Sequence, residues 1–130
     1  MVKQSFLKSD RLKSNKSIEL LIRKGKSQRY FPLKIYYIIT ELSEPKLKAS
    51  IRVAFIVPKR LFKRAIDRNR LKRLMKEAFR KNKASISEYI AISNKTIDIA
   101  FFFIGDQLCD YIVVEQQIIK IFEELINKCK

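Results

Sequence analysis

The sequence predicts an α/β sandwich, a small sheet with helices packed against it. Three observations predict it. Segments 30–39 and 51–57 alternate with period two, the apolar period changes to 3.6 beyond Pro58, and 97–104 is an almost wholly apolar run followed by a second amphipathic stretch. A length of 130 residues with 47% hydrophobic side chains fits one compact domain over 1–130, without repeat, low-complexity tract or linker.

In chain order, Ser14 or Asn15 can cap a first helix over 15–24, whose Ile18, Leu21 and Ile22 share a face. Gly25 is expected to end it in the left-handed conformation. In 30–39, Phe31, Leu33, Ile35, Tyr37 and Ile39 alternate against Tyr30, Pro32, Lys34, Tyr36 and Ile38, the mark of a strand. Pro32 pushes the start of that strand toward an edge or a bulge. A polar connection, 40–50, leads to a second strand over 51–57 with Ile51, Val53, Phe55 and Val57 on one face.

Leu71, Leu74, Met75, Ala78 and Phe79 then follow i, i+3, i+4, i+7, i+8 and form the buried stripe of a helix of about 15 to 18 residues. Asn69, Lys72, Arg73, Lys76 and Arg80 project away from the stripe, so this helix has an apolar back and a cationic front. Segment 82–95 is read as a loop with a helical turn, and 97–104 as a strand buried on both faces of the sheet. Asp110 can cap a last helix carrying Tyr111, Val114, Ile118, Ile121, Phe122 and Leu125 on its apolar side.

Composition narrows the chemistry. There is no His, which excludes Ser-His-Asp, Cys-His and His-metal catalysis; no catalytic or metal-ligating set is expected in the chain itself. Cys109 and Cys129 lack CxxC spacing and read as free thiols rather than a zinc site or a disulfide framework. Glu123 and Glu124 do not face each other on a helix, and Asp106 and Asp110 meet only if their stretch is helical. No apolar run approaches a membrane span and no signal-type segment opens the chain, so the expectation is a soluble, cytoplasmic protein.

Charge narrows the partner. With 29 Lys plus Arg against 13 Asp plus Glu, the formal net charge is +16. Residues 1–83 hold 25 bases and 6 acids, whereas 84–130 hold 4 bases and 7 acids. Within the first part, 59–83 carries 12 bases against Asp67 and Glu77. Self-repulsion at that density destabilises the free protein, which favours a phosphate-bearing partner. A membrane surface fits less well, because the apolar positions are needed for a core. Tyr30, Phe31, Tyr36 and Tyr37 could form a stacking platform for single strands, although alternation sends half of them inward.

The basic helix opens with Arg68-Asn69-Arg70-Leu71-Lys72-Arg73, and the order helix, strand, strand, basic helix, strand, helix surrounds it. With Arg11-Leu12-Lys13, Gly25-Lys26-Ser27, Arg52-Val53, Lys59-Arg60, Arg64-Ala65 and the Leu74 to Phe79 tail, most of the chain resembles the protein subunit of bacterial ribonuclease P. The resemblance implies a two-layer sandwich with a left-handed crossover into the basic helix. It also implies a protein, monomeric when free, that assists a catalytic RNA in removing the 5′ leader of precursor tRNA, with magnesium supplied through the RNA and no cofactor of its own.

Carried onto this chain, the RNA-subunit surface would be Lys59, Arg60, Arg64, Arg68, Asn69, Arg70, Lys72, Arg73 and Lys76. The leader cleft, between the first helix and the sheet, would be Ile18, Ile22, Lys34, Tyr36 and Arg52. Isoleucines and a lysine stand where many members carry rings, which leaves Tyr36 as the candidate for stacking, against a bland reading as a half-buried strand residue. For Asn69 the bland reading is a helix cap, and for Arg68 a carboxylate partner such as Asp67 or Glu77. Pro58, Leu61 and Phe62 replace the small residues common in that connection. Two other functions compete: a stand-alone basic endoribonuclease using Lys, Arg and Tyr, and a ribosomal RNA-binding assembly protein.

Overall fold

The computed structural model describes residues 15–42 and 50–129; Arg11-Leu12-Lys13, the Ser14 cap and most of the 40–50 connection lie outside them. The elements are α1 (Asn15–Lys24), β1 (Lys26–Tyr30), β2 (Leu33–Glu41), β3 (Ser50–Ile56), α2 (Ala65–Ser93), β4 (Lys95–Phe103) and α3 (Tyr111–Cys129). The sheet runs β1-β2-β4-β3; β1–β2 and β2–β4 are antiparallel, and β3–β4 is the parallel pair that α2 joins.

One face of the sheet carries the main core. Leu33, Ile35 and Tyr37 of β2, Ile51 and Val53 of β3, and Ile97, Ile99, Phe101 and Phe103 of β4 are buried there against α2 and α3. Alternation along β2 and at the start of β3 therefore holds as expected. Phe79 of α2 meets Phe55, Phe101 and Phe122 edge-on, with ring centres 5.9, 6.4 and 5.8 Å apart. Such edge contacts add to the area each ring buries.

On the opposite face, Leu21 of α1 is 1% exposed and packs with Ala100, Tyr36, Ile38, Ala54, Ile56 and Phe102. Ala54 and Ala100 are register partners, and their small side chains leave the room that Leu21 fills. Gly25 then lets the chain turn into β1. No glycine here has positive φ, so the expected left-handed cap is absent. Close approach is the reason for glycine instead: a Cβ at this position would sit 2.4 Å from the Leu21 carbonyl oxygen and 2.9 Å from that of Tyr37.

Two elements differ from expectation. The strand expected over 30–39 is two strands: Tyr30 ends β1, Phe31 and Pro32 form the turn, and Leu33 begins β2. Pro32 has no N–H for a ladder, which suits a turn better than a strand start. β1 itself, Lys-Ser-Gln-Arg-Tyr, has an exposed polar run without alternating apolar residues; pairing with β2 makes it a strand. Its Lys26 and Arg29 also charge the sheet edge, which discourages edge-to-edge association.

Helix α2 spans 29 residues, well beyond the expected length, and absorbs most of the segment read as a loop. Beyond Phe79 the buried stripe continues as Lys83, Ile86 and Ile90, at helical spacing but interrupted by a cation. Asn94 ends the helix at φ 54°, ψ 54°, and its side-chain amide donates to the Leu42 carbonyl at 3.2 Å. Asn tolerates that left-handed geometry better than most residues. No described helix is long and apolar enough to cross a membrane.

Candidate nucleic-acid interface

Two surfaces concentrate the cations that the sequence singled out. The first is the N-terminal front of α2. Its N-cap is Arg64, in extended backbone geometry without a side-chain cap bond, so Asn69 lies inside the helix rather than capping it. Arg64, Asn69, Arg70 and Arg73, with Ile66 and Asp67, line a shallow depression of about 520 Å³. All but the half-buried Asp67 are exposed. Lys72 is half-buried and Lys76 exposed farther along the helix.

Ion pairing does not consume this front. Pairs among the described residues include Glu77 with Arg80 and Lys81, Glu41 with Lys95, and Asp98 with Arg52. Arg64, Arg70, Lys72 and Arg73 belong to none of these pairs. The Arg80 guanidinium, through its hydrogen bonds, holds the Glu77 carboxyl below the usual carboxylate range, which leaves one partly neutralised patch downstream of the exposed arginines.

Arg68 behaves differently from its neighbours. It pairs with neither Asp67 nor Glu77; its Nη1 donates to the carbonyl oxygens of Phe62 and Lys63, both at 2.9 Å. Those carbonyls belong to the β3–α2 connection. Within it, the Leu61 and Phe62 amides donate to the Pro58 carbonyl at 3.2 and 3.3 Å. Phe62 is buried with its ring 5.7 Å from that of Phe103.

The second surface is an open groove of about 620 Å³ on the sheet face opposite α2 and α3. Its cations are Arg29, Lys34 and Arg60, its rings Phe31, Tyr36 and Phe102, and its aliphatic wall Ile56, Pro58, Leu61 and Ile104. Lys34, Phe102 and Ile56 lie across three adjacent strands in register. The Tyr36 and Phe102 rings meet edge-on at 5.4 Å, and Lys34 Nζ lies 5.0 Å from the Tyr36 ring centre.

Lys34 and Tyr36 line this groove, whereas Ile18, Ile22 and Arg52, the other residues expected in a cleft between the first helix and the sheet, do not. Leu21, seated on the two alanines, packs between α1 and the sheet, and the groove opens beside the β3–α2 connection. Ile22 remains exposed and Ile18 half-buried. Arg52 is held in a two-pronged bond by Asp98, with Nε and Nη2 at 2.9 and 2.8 Å from the carboxylate oxygens. Arg60 lines the groove, and Lys59 is exposed in the turn beside it.

Of the four rings considered for a stacking platform, Tyr30 and Tyr37 are buried. Phe31, in phase with the buried Leu33 and Ile35, is nevertheless 68% exposed because it occupies the turn. Phe102, Phe31 and Arg29 were not assigned to a site from the sequence. For Phe102 a signal existed: Asp98 marks the outward parity of its strand, and Phe102 shares it.

Comparison with known proteins identifies relatives of this chain. The family model for ribonuclease P matches residues 6–125. A ribonuclease P protein component from Porphyromonas gingivalis is 34% identical over 109 residues, covering 84% of this chain and 77% of that protein. One from Borrelia turicatae is 33% identical over 90 residues, covering 69% and 68%. Among solved structures, the Staphylococcus aureus RNase P protein superposes with a TM-score of 0.64 at 19% identity, covering 91% of this chain and 96% of that one. The Thermotoga maritima protein gives 0.62 at 20%, covering 88% and 96%. These last two likenesses are of fold.

Proposed function

Since this chain belongs to the ribonuclease P protein family, we propose that it holds the catalytic RNA subunit on the α2 front and the 5′ leader of precursor tRNA in the sheet groove, while the RNA performs the hydrolysis with its own metal ions. The observation that carries this reading is the pairing of two different cationic surfaces. One is the shallow, open helix face of exposed Arg64, Arg70 and Arg73 with Asn69; the other is a groove that joins three cations to three rings.

Chemistry distinguishes their partners. Guanidinium forks on a helix suit the phosphates of a folded RNA, read by shape rather than by sequence, and Asn69 can add a bond to a 2′-hydroxyl. A groove that combines cations with ring faces suits single-stranded nucleotides, whose bases are free to stack. The setting is the cytoplasm, where tRNA precursors arise, and the chain supplies binding rather than bond-making groups.

Reconstitution tests the reading. The protein alone should leave precursor tRNA uncut. Mixed with its cognate RNA subunit at low magnesium, it should raise both cleavage and the affinity for leader-bearing substrate. Cutting by the protein alone would replace this reading with a stand-alone endoribonuclease, and absence of any stimulation would point to a ribosomal RNA-binding protein.

A further inference from the structure

We infer that Arg68, although it opens the most cationic motif of the chain, is a positioning residue that builds one wall of the leader groove. The inference rests on the two-surface reading above and assigns one residue of that reading a different task. Arg68 points one nitrogen at two successive backbone carbonyls, Phe62 and Lys63, each 2.9 Å away. Arg70 and Arg73 remain exposed on the α2 front.

The clamped segment reaches the groove. Pro58, Arg60 and Leu61 line it, and the turn that presents them closes when the Leu61 and Phe62 amides bond to the Pro58 carbonyl. That turn is anchored at its exit twice, by the Phe62 ring against Phe103 and by Arg68 on the Phe62 and Lys63 carbonyls. The ring fixes where the side chain sits; the guanidinium fixes the carbonyl direction, and with it the path of the backbone back to Arg60. A charged donor makes a stronger bond to a carbonyl than a neutral one does. Arg68 thus links the two surfaces: it stands on the helix that carries the RNA-subunit face and sets the wall of the leader face.

Two measurements on Arg68→Ala and Arg70→Ala test this. Hydrogen exchange on the free full-length protein reads the clamp directly. Arg68→Ala should speed exchange at the Leu61 and Phe62 amides by tenfold or more while the Ile99 to Phe103 amides of β4 keep their protection, and Arg70→Ala should change neither. In the reconstituted holoenzyme, the ratio of affinities for leader-bearing precursor and mature tRNA should fall several-fold with Arg68→Ala and stay constant with Arg70→Ala. Affinity for the RNA subunit should show the reverse ranking. Unchanged Leu61 and Phe62 exchange, or an intact leader ratio with RNA-subunit affinity lost as in Arg70→Ala, would overturn the assignment. If Arg68→Ala also deprotects β4, Arg68→Lys takes its place: its shorter ammonium should give intermediate exchange and an intermediate ratio, and wild-type values for both would overturn it. If the unsubstituted protein fails to stimulate the RNA at all, the functional reading falls while the exchange result still decides the clamp.

Discussion

The ammonium of Lys34 sits 5.0 Å from the centre of the Tyr36 ring, on the sheet face turned away from the two long helices. The ring therefore meets Phe102 in a T-shaped contact and offers a face to a cation. A cation over a ring face is a weak, displaceable contact at an exposed site. A base can take the face while Lys34 moves to an adjacent phosphate.

Tyr36→Ala should weaken binding of leader-bearing precursor by about 1–3 kcal/mol, the worth of one stacked base, and leave mature tRNA unaffected. Binding titrations with both RNAs on the reconstituted holoenzyme check this. Equal weakening of the two would place the leader elsewhere.

Removing a phosphate contact leaves a signature in salt. Arg70→Ala should lower affinity for the RNA subunit whatever the leader, and reduce the log-log salt slope by about 0.7 to 0.9. Titrations across a range of monovalent salt measure it, and an unaltered slope would remove Arg70 from the interface.

Gly25→Ala should destabilise the fold by roughly 1–3 kcal/mol, as overpacking does. The added methyl meets two backbone oxygens, of Leu21 and Tyr37, and neither can swing aside as a side chain would. The urea midpoint reads the loss. Wild-type stability would mean that α1 can lift off the sheet freely.

Phe79→Ala should cost about 3–5 kcal/mol, because the ring is fully buried and contacts rings from β3, β4 and α3 together. Phe79→Leu should cost less. Similar losses for both would imply that ring geometry, rather than filled volume, stabilises this part of the core.

Alkaline pH should weaken the fold through two tyrosines. Burial, and then the hydrogen bond to Glu115, push Tyr111 up to about 12; burial and Glu124 likewise raise Tyr30. A folded pKa above the unfolded value stabilises below about pH 10 and is lost as the pH climbs through the folded value. Loss of lysine charge in the same window relieves repulsion and acts the other way, so the comparison is between variants. Urea midpoints of Tyr30→Phe and Tyr111→Phe should fall less steeply above pH 10 than those of the parent; parallel curves would exclude both groups.

Period and charge made the main strands and helices readable because each residue's burial there follows from its neighbours along the chain. Leu71, Met75, Ala78 and Phe79 are all fully buried at the positions the helical spacing requires. β1 was unreadable because its polar residues are a strand only by pairing with β2. Lys83 hid the second half of α2, since a cation in a buried stripe breaks the pattern that defines the stripe. Ile18, Ile22 and Arg52 do not line the groove that Lys34 and Tyr36 share, because Leu21 packs between α1 and the sheet and Arg52 pairs with Asp98, contacts that periodicity does not reveal.

The amino-acid order by itself settled that this protein carries its positive charge on the first two thirds of the chain, mounts much of it on an amphipathic helix, and belongs with chains that share that arrangement. Only the tertiary structure decided which cation serves which surface. Arg60 turned to the groove and Arg68 to two carbonyls, because the direction of those side chains depends on the path of the β3–α2 connection, which local periodicity does not encode.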